Sequence, residues 1–190
     1  MSHSKRLFLA IHIKPKKNFV DIFSDLKNEL SHENLKWVKI ENLHLTLRFL
    51  GETNSNLIQD IILAIRKSMH ETFEFETSIQ NIGVFGSRYQ PKVLWFGFKN
   101  DERLKALEES INKGFESIGL KRDRQNFVPH LTVTRIKQLK DKELFFDIIS
   151  EYKDEFIQDL KVEEIILFES ILERSGAVYN IVERFPLKKA

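Results

Sequence analysis

The sequence predicts an α+β fold on an antiparallel sheet, and three observations predict it. Four segments repeat apolar residues at spacings of three and four, the period of a half-buried helix. Between them lie strand-like runs, many of which alternate apolar with polar residues, as a sheet with one exposed face requires. A third feature, the tetrapeptide His-Leu-Thr-aliphatic, occurs once in each half of the chain, inside a strand-like run each time.

The elements follow in order. Leu7–Ile13, apolar but for His12, reads as the first strand. Phe19, Ile22, Phe23, Leu26 and Leu30 define a helix, and Leu43–Leu50 is the next strand. Leu57, Ile58, Ile61, Ile62 and Ile65 define a second helix, after which Phe73–Phe85 and Val93–Phe98 are strands. Asn100, Asp101 and Glu102 open a third helix, because acids suit the positive end of the helix dipole. Leu104, Leu107, Ile111, Phe115 and Ile118 carry it, and Gly119 stops it. His130–Ile136 is a strand, and Leu144, Phe145, Ile148, Ile149 and Tyr152 form the fourth helix. Val162–Ser170 and Tyr179–Phe185 flank Ser175-Gly176 and predict a hairpin.

Composition narrows the function. The chain has 190 residues, enough for one domain with a sizeable core, and its 16 phenylalanines point to an aromatic one. Lys plus Arg is 30 against 28 acids, so bulk charge does not hold this chain to nucleic acid, although a local basic patch is compatible with the balance. Cysteine is absent, which excludes disulfides, thiolate zinc sites, iron–sulfur clusters and cysteine nucleophiles. The run Leu7–Ile13 is shorter than a signal-peptide core with its cleavage site, and no stretch of about 18 apolar residues occurs. A cytoplasmic location without membrane contact is expected. No heptad seam calls for a dimer, so a monomer is expected.

The repeated tetrapeptide carries the chemistry. Alternate residues of a strand share a face, so His44 and Thr46 point one way while Leu45, Leu47 and Phe49 point into a core. His130 and Thr132 point together, opposite Leu131 and Val133. Two imidazoles facing one phosphorus supply concerted acid–base catalysis, since a histidine with a pKa of roughly 6.5 serves either role near neutrality. The threonine hydroxyls donate hydrogen bonds to a developing anion. Nothing in the two motifs decides which histidine is acid and which is base.

The flanking blocks are Asn42–Glu52, Pro91–Trp95, Phe127–Arg135 and Leu167–Ser170, with Arg6–Ile11 ahead of them and Tyr179 and Phe185–Leu187 behind. In this order the chain resembles the two-histidine phosphoesterases, and among them the RNA 2′,3′-cyclic phosphodiesterases formerly described as 2′-5′ RNA ligases. The resemblance implies a single bilobal domain over residues 1–190, with two similar lobes flanking a central catalytic groove. It implies metal-independent hydrolysis of RNA 2′,3′-cyclic phosphate ends to 2′-phosphomonoesters. By family assignment His130 activates water, His44 protonates the departing 3′ oxygen, and Thr46 and Thr132 hold the phosphate. Two alternatives stand beside this: a two-histidine phosphodiesterase acting on small cyclic phosphates or 2′-5′-linked oligonucleotides, as related branches do, and a non-catalytic RNA-end binding module. His12 stands where the family more often has an acid, and Thr134 where it has a small apolar residue.

The remaining candidates are weaker. Arg135 is a candidate phosphate clamp, since guanidinium binds phosphate bidentately. Strict alternation sets it on the face opposite His130, so it reaches the groove only across a bulge or a strand end. Arg48 shares the His44 face by parity and reads as a solvated arginine at a strand end. His3, His32 and His70 read as solvated. No acidic residue lies inside either tetrapeptide, and neither a zinc-protease motif nor a phosphate-binding loop occurs, so no metal and no cofactor are expected. Gly83-Val84-Phe85-Gly86 matches an RNA-clamping Gly-x-x-Gly, but a turn between two strands is the better reading. Ser87–Lys92 reads as a solvated loop, with nucleotide contact at the groove rim as the minor alternative.

Overall fold

In a computed structural model that describes residues 4–99, 101–122, 126–174 and 176–189, nine strands form one antiparallel sheet, with four α-helices around it. In chain order these are β1 (Ser4–His12), α1 (Lys17–Glu29), β2 (Asn34–Trp37), β3 (His44–Asn54), α2 (Ile58–Ser68), β4 (Phe75–Gly86), β5 (Pro91–Lys99), α3 (Glu102–Ser117), β6 (Leu131–Gln138), α4 (Lys142–Glu151), β7 (Phe156–Val162), β8 (Glu164–Glu173) and β9 (Gly176–Pro186). Asn100, Ser175 and His3 lie outside the described residues.

The helices form where the apolar period placed them. The buried residues are Phe19, Ile22, Phe23 and Leu26 on α1, Ile61, Ile62 and Ile65 on α2, Leu104, Leu107, Ile111 and Phe115 on α3, and Phe145 and Ile149 on α4, whereas Leu57, Ile118 and Leu144 of the predicted stripes are exposed. Gly119 has φ +82°, and the amides of Gly119 and Leu120 bond back to Glu116 and Phe115, so the glycine ends α3 as expected. Asp141 caps α4 by accepting from the Leu144 amide at 3.0 Å. Gly114 lets α3 approach α2, since a Cβ there would meet the Ser68 hydroxyl.

The sheet runs β7-β4-β5-β6-β3-β1-β8-β9, and β2 adds to β6. It divides into two similar four-strand lobes, β3-β1-β8-β9 and β6-β5-β4-β7, whose inner strands carry the two tetrapeptides. The lobes meet where Leu45 pairs with Leu131. Both residues are fully buried in one apolar core that spans the helix side of both lobes. A smaller cluster of Phe8, Ala10, Ile166 and Phe168, with Tyr179 against it, covers part of the opposite face of the first lobe.

Two expectations on strands change. The run read as Val162–Ser170 is the end of β7 and most of β8, which lie in different lobes with Glu163 between them. The chain crosses the molecule at Glu163, the first of two consecutive acids ahead of the apolar run Ile165–Phe168, and the expected strand ran through that pair. Gly83–Gly86 is strand rather than turn or clamp: it closes β4, and Gly83 lies bare beneath the Trp95 ring, where a Cβ would stand 2.2 Å from a ring carbon.

Candidate active site at the junction of the lobes

Antiparallel register at Leu45–Leu131 sets His44 and Thr132 on one side of that pair, and Thr46 and His130 on the other. The four side chains therefore flank a pseudo-two-fold axis. Each imidazole is held the same way. His44 Nδ1 lies 2.6 Å from the Asn42 carbonyl, and His130 Nδ1 lies 2.8 Å from the Val128 carbonyl, two residues upstream in both cases. A carbonyl only accepts, so Nδ1 carries the proton and donates, which leaves Nε2 as the free nitrogen of each neutral ring. Asn42 is itself fixed, its side-chain amide donating to the Ala177 carbonyl at 2.9 Å.

Both histidines sit among aromatic rings. Phe8 and Tyr179 lie 4.9 and 5.2 Å from the His44 ring, and Phe85 and Trp95 lie 4.7 and 6.5 Å from the His130 ring. Burial pushes the His44 imidazole down to about 4, helped by the nearby His12, His130 and Arg135 and opposed by the Asn42 carbonyl. Burial also lowers His130, with the Arg135 charge adding to it and the Val128 carbonyl opposing. With both values below the ordinary 6.5, the two rings are predominantly neutral at pH 7.

The bulge that the Arg135 expectation required is present. Leu94 pairs with Thr134 and Trp95 with Thr132, so Val133 is an extra residue on β6. Val133 and Thr134 are both fully buried, and Arg135 emerges on the face of His130 and Thr132. Its charge acts on His44, His130 and Tyr179 alike.

The other lobe has the same bulge. Leu9 pairs with Arg48 and Ala10 with Thr46, skipping Leu47. Leu47 and Arg48 are consecutive buried residues, and the Arg48 guanidinium donates to the Lys121 carbonyl. The parity reading of Arg48 as solvated and on the His44 face is thus corrected. So is the core assignment of Phe49, which is 61% exposed. Phe49 pairs directly with Phe8 across the strands, and cross-strand partners share a face, so it lies on the His44 side. The residue five past each histidine therefore returns to the groove: Phe49 in one lobe, Arg135 in the other.

Beside His44 the first lobe holds a cavity of about 170 Å³. Ile166, Phe168, Tyr179 and Ile181 form its apolar wall, and His12, Glu41, Asn42 and Arg184 its polar edge. His12 lies across the β1–β3 ladder from His44, with its Nε2 3.2 Å from the Glu41 carbonyl. Reading the sequence missed the ring neighbours Phe8, Phe85, Trp95 and Tyr179, together with His12 and Asn42. Position 42, two before the histidine, was the one available signal, because Val128 stands two before the other. The loop 87–90 lies against α4, with Lys142 Nζ donating to the Tyr89 carbonyl at 2.8 Å and Arg88 6.0 Å from the centre of the Phe146 ring. Among the described residues, no group of three His, Asp or Glu side chains is placed to hold a metal ion, and no helix is long and apolar enough to cross a membrane.

Fold and site together describe a two-lobed sheet with one histidine at the head of the inner strand of each lobe, His44 opening β3 and His130 directly preceding β6. The structural neighbours agree on the fold. E. coli LigT in its apo form superposes with TM-score 0.75 at 21% identity, covering 98% of this chain and 99% of that one. A Thermus thermophilus protein superposes with TM-score 0.76 at 22% identity, over 97% and 98% of the two chains. The model of the 2′-5′ RNA ligase superfamily matches residues 23–171, and the chain belongs to that superfamily of two-histidine phosphoesterases. A Methanothermobacter thermautotrophicus relative named RNA 2′,3′-cyclic phosphodiesterase is 30% identical, over 96% of this chain and 98% of its own.

Proposed function

We propose that this chain hydrolyses RNA 2′,3′-cyclic phosphate ends to 2′-phosphomonoesters, as a single bilobal domain acting as a monomer, with His130 as general base and His44 as general acid. The observation that carries the reading is the pair of imidazoles, each with Nδ1 held by a carbonyl and Nε2 free, flanking one axis beside both threonines. The name of the Methanothermobacter relative supplies the substrate class.

The chemistry distributes as follows. Water adds its oxygen to phosphorus and gives a proton to His130 Nε2 as the P–O3′ bond breaks, and His44 gives its proton to O3′. Thr46, Thr132 and Arg135 hold the non-bridging oxygens, whose charge grows in the transition state. In a cyclic phosphate the departing oxygen stays on the ribose, so the acid stands on the nucleoside side and the base on the open side. Two features favour His44 as acid. The cavity lies beside it, and at about 170 Å³ it falls below the roughly 300–1,000 Å³ of drug-sized sites, a size for one ring system. His130 is the more exposed ring and faces water more readily. The neutral His44 ring has no proton on Nε2, and a bound phosphate anion supplies the condition for one by favouring the imidazolium.

The test is turnover of an oligoribonucleotide bearing a 2′,3′-cyclic phosphate with EDTA present, resolving 2′- from 3′-phosphate products. Formation of the 2′-phosphate is expected. Replacing His44 or His130 by alanine is expected to lower kcat by roughly 10²–10⁴-fold in a folded protein. Full activity in a folded His130→Ala variant removes the assignment, and a 3′-phosphate product reverses the leaving group.

A further inference from the structure

The two lobes match in their histidines, threonines and bulges but differ at the residue that each bulge returns to the groove. In the second lobe that residue is Arg135, a cation suited to phosphate. In the first it is Phe49, an aromatic ring 61% exposed where most other phenylalanines of the chain are buried. A large exposed ring on the face of a catalytic groove needs an account, since burying it elsewhere would favour folding.

The surroundings of Phe49 narrow what it meets. Its ring lies 6.1 Å from Phe8, which lies 4.9 Å from both His44 and Tyr179 and 5.2 Å from Phe168. A chain of ring contacts thus leads from His44 through the buried Phe8 out to the exposed Phe49. β1 runs without a bulge alongside β8, so Arg6 shares the face of Phe8 and Ala10. Arg6 is exposed there, and its charge acts on the Tyr179 hydroxyl. An exposed aromatic face with a guanidinium beside it suits one nucleotide of a single strand: the base stacks and the cation meets its phosphate. Phe49 is three strand residues beyond Thr46, roughly 10 Å at about 3.3 Å per residue. That is too far for the reacting ribose and on the opposite side of Phe8 from the cavity beside His44.

We propose that Phe49 and Arg6 form a subsite for the nucleotide immediately 5′ of the cyclic end, the Phe49 ring carrying its base and Arg6 its phosphate. The inference rests on the hydrolytic reading above and deepens it: the substrate is an oligonucleotide rather than a mononucleotide. The selectivity comes from the lobe that carries the acid, while Arg135 serves the reacting phosphate from the other.

The experiment compares kcat/KM for a cyclic mononucleotide with that for the dinucleotide of the same 3′ end. The wild-type protein is expected to prefer the dinucleotide. In Phe49→Ala the dinucleotide-to-mononucleotide ratio is expected to fall by roughly 5–100-fold, the span of one base stacked on one ring. Phe49→Trp is expected to keep the ratio, and Arg6→Ala to lower it in a salt-dependent manner. An unchanged ratio in Phe49→Ala overturns the subsite, and an equal loss on both substrates moves the terminal base onto Phe49 and overturns it as well. A binding readout separates this from the hydrolytic reading. A 2′-phosphorylated dinucleotide with 2-aminopurine at its 5′ position is expected to be quenched by the wild-type protein and not by Phe49→Ala. Quenching without turnover would keep the subsite and discard the hydrolase; turnover without quenching would do the reverse.

Discussion

At the scale of single residues, the proposed mechanism turns on where His44 gets a proton. Burial drives His44 to about 4 and lowers His130, so near neutrality the free enzyme is short of the imidazolium that the reaction needs. Since kcat/KM reports the free enzyme, its bell is expected to centre on the acid side of pH 6.5. On the proposed mechanism, an anion bound between the rings favours the imidazolium and restores the proton. Calorimetric titration with inorganic phosphate in buffers of different ionisation enthalpy is therefore expected to show net proton uptake at pH 7, absent in His44→Gln. An optimum above pH 7.5 with no uptake would count against the assignment. Arg135 tests the bulge directly. A charge-assisted bond contributes roughly 1.5–3 kcal/mol, so Arg135→Ala is expected to lower kcat/KM by about 10–100-fold. Arg135→Lys is expected to recover part of it, because a lysine keeps the charge but not the fork.

At the scale of elements, the two bulged strands show what alternation can and cannot tell. His44, Thr46, His130 and Thr132 were legible because they precede the bulges, where period two holds. Phe49, Arg48 and Arg135 follow the bulges, so each lies on the face opposite to the one parity gives. The signal existed in the partners: a bulge is a mismatch of register between strands, and a single strand's sequence does not display it. The helices were legible because their apolar stripes are local. Strand β2 and the break between β7 and β8 were not, because only pairing with β6, β4 and β1 defines them. Gly83 sets an expectation at this scale. A methyl there collides with Trp95, whose ring helps wall His130. Gly83→Ala is expected to cost about 1–3 kcal/mol of stability and to lower activity with it. Thermal unfolding and turnover measured together check this, and full activity at unchanged stability would show that the Trp95 ring has room to move.

At the scale of the whole molecule, the buried His44 makes stability depend on pH. His44 has a depressed pKa when folded and an ordinary one, about 6.5, when unfolded. Between those values the unfolded chain binds a proton that the native one refuses, so stability is complete above pH 6.5 and is lost as pH falls toward 4. The loss from this group is on the order of 3 kcal/mol. Urea unfolding at steps from pH 7 to pH 4 is expected to show a shallower decline for His44→Gln than for the wild-type protein. Equal slopes would mean that His44 gains solvent or a partner as the pH drops.

The seam between the lobes has a mechanical consequence. One continuous core that includes Leu45 and Leu131 joins the halves on the helix side, while the β3–β6 ladder itself has one registered pair among the described residues, Leu45 with Leu131. The molecule is a clamshell with a firm back and a mouth restrained at one rung. The softest deformation available to it is a change in the gape. On the mechanism proposed above, an anion gripped from both jaws would brace that opening, and the substrate itself would complete the stiffness of the sheet while the two imidazoles hold their spacing.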